Sequence, residues 1–313
     1  MKENWTPADI PALNGERILI TGANSGIGYH AAVVLARKGA HVILACRDPA
    51  RADVALTRLK ASAPGASAEL AVLDLASLES IRDFALRQLA QDRPLHTLIN
   101  NAGVMAPPKR LETADGFEIQ FGTNVLGHFA LTGLLMPLLE KAAVSERPRI
   151  VTVASIAHKR GRIDFDDLQS TQHYSPMRSY QQSKLGNLMV AFELARRLRA
   201  SGSQVMSVAV HPGVANTNLF RAGERSALDS AVRAVASQLI GAFLNTDAAG
   251  TLPTLYAATS PDVVDGGYYG PTGWMEMRGE RVGNAAIAPQ ANDMESARRL
   301  WEVCETLTGI RFP

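Results

Sequence analysis

Cysteine is scarce. Two thiols, Cys46 and Cys304, stand far apart in 313 residues, which excludes a disulfide framework or a cysteine-based metal site. They read as small buried apolar side chains in a reducing compartment. The seven histidines form no HExxH or comparable cluster, so no metal is expected. A surplus of one charge is also missing: 32 Lys and Arg against 30 Asp and Glu leave a formal net charge of +2. Neither nucleic acid nor a membrane is therefore an expected partner. No run of about 18 uninterrupted apolar residues occurs, which argues against a membrane span. Met1 to Glu16 lack a charged region followed by an apolar one, which argues against a secretory signal; a cytoplasmic location is the default.

What the chain does have is alternation. Arg17–Thr21, His41–Ala45, Leu70–Leu73, Leu95–Asn100, Arg149–Ala154 and Gln204–Val210 are short β-rich runs. Helical spacing fills Gly26–Lys38, Pro49–Ala61 and Asp293–Thr308. Near-continuous apolar strands imply a parallel sheet covered on both faces, and repeated βα units imply a doubly wound α/β Rossmann fold. No linker divides the chain, so residues 1–313 read as one domain. Ile156–Pro176 and Gly266–Asp293 fit regular structure poorly. They read as loops at the carboxyl ends of the strands, where ligands bind.

Thr21-Gly22-Ala23-Asn24-Ser25-Gly26-Ile27-Gly28 follows the first strand and opens the first helix. Glycines there permit a tight turn and close approach of a pyrophosphate to free N–H groups at the helix N-terminus. The second strand ends in Cys46-Arg47, where an NAD site places a carboxylate for the ribose hydroxyls. An arginine instead suits a 2′-phosphate, so NADP(H) is the expected cofactor. The alternative is a surface arginine paired with Asp48. Tyr180-Gln181-Gln182-Ser183-Lys184 puts Tyr and Lys four apart, on one helix face. A phenol with a pKa of about 10 needs a nearby ammonium to work as an acid–base group near neutrality. Ser155 closes the fifth strand, where its hydroxyl can hold a substrate oxygen.

The TGxxxGxG spacing, Asn100-Asn101-Ala102-Gly103, the YxxxK pair and His211-Pro212-Gly213 together resemble the short-chain dehydrogenase/reductase family over about residues 15 to 270. The resemblance implies adenine contacts at Asp74 and Leu75. It implies further cofactor contacts at Gly22, Asn24, Ser25, Gly26, Ile27, Gly28, Asn101, Ala102, Gly103, Tyr180, Lys184, Pro212, Gly213, Val214 and Thr217. It implies a catalytic set of Asn124, Ser155, Tyr180 and Lys184, with Tyr180 exchanging a proton with the oxygen of a carbonyl or alcohol substrate.

The segments TGANSGIG, ACRD, NNAGVM, TNVLGHF, Gly270-Pro271 and Glu276-Met277-Arg278-Gly279 are similar to the retinol dehydrogenase-like and protochlorophyllide reductase-like branch. The substrate wall is expected from Val104–Pro107, Ile156–Pro176 and a loop region about 214–245. Met105, Pro107, Phe165 and Phe220 suggest an apolar pocket for a bulky, mostly apolar ketone or aldehyde, and His158 is a candidate lining residue. Reduction of a conjugated C=C bond, or a non-catalytic NADP(H)-binding regulator, are the alternatives. Family dimers pair the helices that here fall in Phe117–Leu139 and Leu185–Leu198, so a homodimer is expected, with a monomer as the alternative. A C-terminal extension, about 271–313, is expected to cover a second interface.

Overall fold

The computed structural model describes residues 4–144, 147–213 and 246–313. Among them β1 (Arg17–Thr21), β2 (His41–Cys46), β3 (Ala68–Val72), β4 (Thr97–Asn100), β5 (Arg149–Val153), β6 (Met206–Val210), β7 (Tyr268–Pro271) and β8 (Val282–Asn284) form one sheet. Its order is β3-β2-β1-β4-β5-β6-β7-β8. All pairs are parallel except β7 with β8. Every residue of β1 and β6 is buried, whereas β3 at the edge is only partly covered. The order reverses between β1 and β4, opening a crevice at the carboxyl ends of the strands.

The helices are α1 (Gly26–Arg37), α2 (Pro49–Ser62), α3 (Leu78–Ala90), α4 (Ile119–Ala142), α5 (Pro176–Ser201), α6 (Asp247–Thr259) and α7 (Met294–Thr308). Successive strand residues face opposite ways, so β1 feeds two cores. Leu19 packs with Phe84, Phe129, Leu188 and Trp301 under α3, α4, α5 and α7. Ile18 and Ile20 pack with Leu35, Leu59 and Tyr256 under α1, α2 and α6. Local chemistry sets helix ends. Asp48 accepts from the N–H groups of Ala50 and Arg51 to start α2. Asp293 starts α7 in the same way, and Gly309, at φ 71°, stops it.

Three expectations need correction. Gly266–Asp293 is not merely a loop: it contributes β7 and β8, pinned where Tyr268 and Tyr269 align with Ala209 and Val210 of β6. These strands are short and interrupted by Gly and Pro, so the open edge of β6, more than their own propensity, creates them. Second, α4 is 24 residues with mean hydropathy 1.3, long and apolar enough to cross a membrane by composition, although no uninterrupted apolar run exists. In this fold 83% of that window is buried, as in a core helix. Third, the face of α4 and α5 expected to pair two copies is covered by the chain itself. Trp301 and Phe312 pack on Phe129, and Arg197 lies 4.7 Å over the Trp301 ring. A Cβ on Gly133 would come within 2.4 Å of Phe312. The extension therefore packs on this face of α4 and α5 within the chain itself.

Candidate active site

The glycine turn forms at the crevice as its residues require. Gly22 and Gly26 have φ of 68° and 55°, which disfavour any side chain. A Cβ at Gly28 would lie 2.5 Å from Asn101 Nδ2 and 2.7 Å from the Gly22 carbonyl. Asn24, Ser25 and Gly26 are partly exposed, whereas Ile27 and Gly28 are buried. No side chain caps the start of α1, so its first N–H groups are open to an anion. The turn is tied to the end of β4 by Thr21, whose hydroxyl accepts from the N–H groups of Asn101 and Ala102, both at 2.9 Å. Asn101 Nδ2 donates back to the Thr21 carbonyl at 2.8 Å.

Arg47, at the end of β2, is exposed. Asp48 is committed to the start of α2 and to Arg51, 3.7 Å away, so the surface pairing weighed for Arg47 is not formed. Asp74, just past β3, accepts from the Ala76 N–H at 2.9 Å and remains partly exposed, with Leu75 buried beside it.

The four expected catalytic residues converge at the ends of β4 and β5. Asn124 sits in a π-helical turn, Gly122–Leu126, inside α4, a distortion frequent at functional sites. Its side chain accepts from the Val104 N–H at 2.8 Å and donates to the Val104 carbonyl at 2.9 Å and to Ser183 Oγ at 3.0 Å. Ser155 begins a 3₁₀ turn, Ile156–Arg160, and its hydroxyl accepts from the Ala157 N–H at 3.1 Å. Tyr180 is buried, with Ser155 near enough to its hydroxyl to draw its pKa down. Lys184, one turn on, donates to the Val153 carbonyl at 2.9 Å, its Nζ 5.9 Å from the centre of the Tyr180 ring.

The electrostatics differ from the expectation that Lys184 pulls the Tyr180 phenol down. Burial pushes Tyr180 up, and the neighbouring Ser155 side chain offsets part of that rise. Burial also lowers Lys184 itself, to about 8. An ammonium stripped of water and held by a backbone carbonyl remains mostly protonated at neutral pH, beside a phenol that burial keeps neutral.

Several polar groups behind the site were not singled out by sequence motifs. His128 Nδ1 lies 3.0 Å from the Asn124 carbonyl, and Nε2 lies 2.9 Å from Thr21 Oγ1. Burial drops this imidazole to about 4, so it is neutral, with Nδ1–H donating and Nε2 accepting from the threonine. It joins the π-helical turn to the glycine turn. Ser183 carries Asn124 onto α5 by donating to the Tyr180 carbonyl at 2.8 Å. Only the i, i+3 spacing of Tyr180 and Ser183 hinted at this role.

The expected substrate wall is only partly assembled. Val104 is pinned by Asn124 as above, and the Ala106 N–H donates to Gln120 Oε1 at 2.7 Å, holding Val104–Pro107 in place. The Tyr174 hydroxyl donates to the Pro107 carbonyl at 2.6 Å, joining this strip, with Met105, to the 156–176 segment. Phe165 packs against the core beneath Arg299, whose guanidinium is 4.1 Å from its ring. His158 is fully buried and structural, not a lining residue. Pro212 and Gly213 follow β6 at the same sheet edge. Val214, Thr217, Phe220 and the 214–245 region lie outside the described residues. Among the described residues no cluster of His, Cys, Asp and Glu could hold a metal. Both cysteines are buried and free, and burial pushes the Cys46 thiol up to about 11.

Known proteins match this arrangement. The short chain dehydrogenase family model matches residues 16–227. Mouse retinol dehydrogenase 14 is 42% identical over 310 residues, covering 95% of this chain and 87% of its own. Human retinol dehydrogenase 13 is 39% identical over 303 residues, covering 96% and 86%. The crystal structure of an uncharacterized protein from Mycobacterium paratuberculosis, 39% identical, superposes with a TM-score of 0.80 over 99% of both chains. The NADP complex of Pseudomonas aeruginosa RhlG, 23% identical over 82% of this chain and 94% of its own, shares the fold at a TM-score of 0.64. With a doubly wound sheet, a glycine turn at its switch point and a match across most of its length, the chain belongs to the short-chain dehydrogenase/reductase family of oxidoreductases, in its retinol dehydrogenase-like branch.

Proposed function

We propose that this chain is an NADP(H)-dependent oxidoreductase that interconverts a bulky, mostly apolar aldehyde or ketone with its alcohol, with Tyr180 exchanging the proton. The observation that carries this reading is the buried Lys184 ammonium 5.9 Å from the Tyr180 ring, with the Ser155 side chain acting on the same buried phenol. The family uses NAD(P)(H), and the chain fits such a group: the uncapped start of α1 suits a pyrophosphate, and Arg47 is free to meet a 2′-phosphate. When bound, the nicotinamide supplies or takes up the hydride.

The residues of the chain do the rest. Ser155 orients the substrate oxygen. Tyr180 Oη delivers a proton to it during reduction and removes one during oxidation. Lys184 favours the phenolate left on Tyr180, because an ammonium in a dry site acts strongly on a neighbouring developing charge. Asn124 holds Val104 and thereby one wall of the cleft. The names of the relatives point to retinol, an alcohol on a long apolar skeleton, in keeping with an apolar substrate here.

The test is to supply NADPH or NADH with a panel of apolar aldehydes, ketones and enones, follow nucleotide consumption and identify the products. The expected result is NADPH-dependent formation of alcohols. Saturated carbonyl products would replace this reading with C=C reduction, and consumption of neither nucleotide across the panel would overturn it.

A further inference from the structure

The segment after β7 returns towards the site from the far edge of the sheet. Glu276 Oε2 accepts from Lys159 Nζ at 2.8 Å and lies 3.5 Å from His211 Nε2, while Oε1 accepts from the Ala286 N–H at 2.7 Å. The His211 and Lys159 side chains and the backbone donor hold the carboxyl down at about 2, so it is ionised throughout the working range. His211 is fully buried at the root of the Pro212–Gly213 turn. Its Nδ1 accepts from the Gly213 N–H at 3.2 Å, which leaves the proton on Nε2, facing the carboxylate. At 3.5 Å that contact is longer than a well-formed hydrogen bond, but among the described residues Nε2 has no hydrogen-bond partner, and the Glu276 carboxylate is what it faces.

Two further observations show that the contact is built rather than incidental. Met275 and Glu276 occupy left-handed backbone, at φ of 51° and 59°, which non-glycine residues adopt only when their surroundings impose it. Gly270 in β7 is flat against the imidazole: a Cβ there would lie 2.1 Å from His211 Nε2. On the catalytic side, His158 Nδ1 donates to the Ser155 carbonyl at 2.7 Å, while its Nε2 accepts from the Ala288 N–H at 3.3 Å. Gln290 donates to the carbonyls of His158, Lys159 and Gly161. The same segment thus grips the loop after Ser155 and the turn after β6.

The adenine half of a dinucleotide lies over β1, β2 and β3, so its nicotinamide half lies over β4, β5 and β6. We infer that Glu276 is a positioning residue: through His211 and Lys159 it holds the Pro212–Gly213 turn against the Ser155 loop and so seats the nicotinamide beside Tyr180. This rests on the oxidoreductase reading. It assigns to the C-terminal extension a task that neither the glycine turn nor the YxxxK pair performs.

The test uses fragments of the cofactor. Wild type, Glu276→Ala, Glu276→Gln and Gly270→Ala are titrated calorimetrically with NADPH and NADH. The same proteins are titrated with 2′-phospho-ADP-ribose and ADP-ribose, which lack the nicotinamide. The expected result is a loss of about tenfold in affinity for the preferred dinucleotide in Glu276→Ala and Gly270→Ala. Affinity for the matching fragment stays within about twofold, because the adenine contacts are intact. Glu276→Gln, which keeps an acceptor for Lys159 and Ala286, recovers part of the loss. Equal losses for dinucleotide and fragment would show a general structural role and overturn the inference. So would unchanged binding of both in all variants, with the oxidoreductase reading untouched. A wild-type chain that binds neither dinucleotide would overturn that reading, and this inference with it.

Discussion

The two halves of the cleft are built by different means. Over β1, β2 and β3 the features are local and open to water: a glycine turn, an exposed Arg47, and an Asp74 bonded to the N–H two residues on. Over β4, β5 and β6 they are buried and assembled from distant positions. Asn124 meets Ser183 across 59 residues, and Lys184 meets Val153 across 31. The difference teaches where substitutions should be felt under the proposed function: exposed groups over β1–β3 should alter which nucleotide binds, whereas buried groups over β4–β6 should alter turnover and stability together, because each is a polar group removed from water.

The largest effect expected is from Lys184→Met. Turnover should fall by roughly 10²- to 10⁴-fold, the usual worth of an acid–base group and its support. Stability at pH 7 should nevertheless rise. Burial lowers the lysine from its ordinary value of 10.5 to about 8, so folding works against the charged form. That penalty is full below pH 8 and fades as pH approaches 10.5. The variant should therefore gain on the order of 1–3 kcal/mol at pH 7 and progressively less above pH 8. Chemical denaturation at several pH values measures this; a destabilised variant at pH 7 would contradict the predicted sign, and stability equal to wild type at every pH would break the contrast between the halves.

Arg47→Ala should be intermediate. Removing a charge-assisted contact to a 2′-phosphate should weaken NADPH by about 10- to 100-fold and leave NADH within about twofold. Titration of both nucleotides separates this from a general loss, and an equal loss of both would remove Arg47 from nucleotide choice. Asp48→Ala should be smallest. It removes the cap of α2 and should cost about 1 kcal/mol on denaturation. Because Asp48 faces Arg51 and not Arg47, nucleotide preference should not move; a shift towards tighter NADPH binding would show that the two side chains compete.

The same contrast explains what was legible in the sequence. The glycine turn, the six leading strands and the Tyr180–Lys184 face follow from short-range rules: φ preference, alternation and i, i+4 spacing. The structure brings Asn124, Ser155, Tyr180 and Lys184 to one sheet edge, as their pattern implied. Strands β7 and β8 were not legible, because their formation depends on an edge supplied by β6. Phe165 looked like a pocket residue because it is aromatic and sits in a loop, yet a cation on α7 claims its face. Glu276 lies in a motif that could be quoted but not interpreted, since its partners Lys159 and His211 stand 117 and 65 positions away in the chain.

The most direct measurement pairs binding with turnover for Tyr180→Phe, using an aldehyde that the wild type reduces. The expected result is NADPH affinity within about twofold of wild type and a rate of NADPH consumption lower by at least about 10²-fold, since only the exchangeable proton is removed. Turnover near the wild-type rate would contradict the assignment of Tyr180 as the group that exchanges the proton.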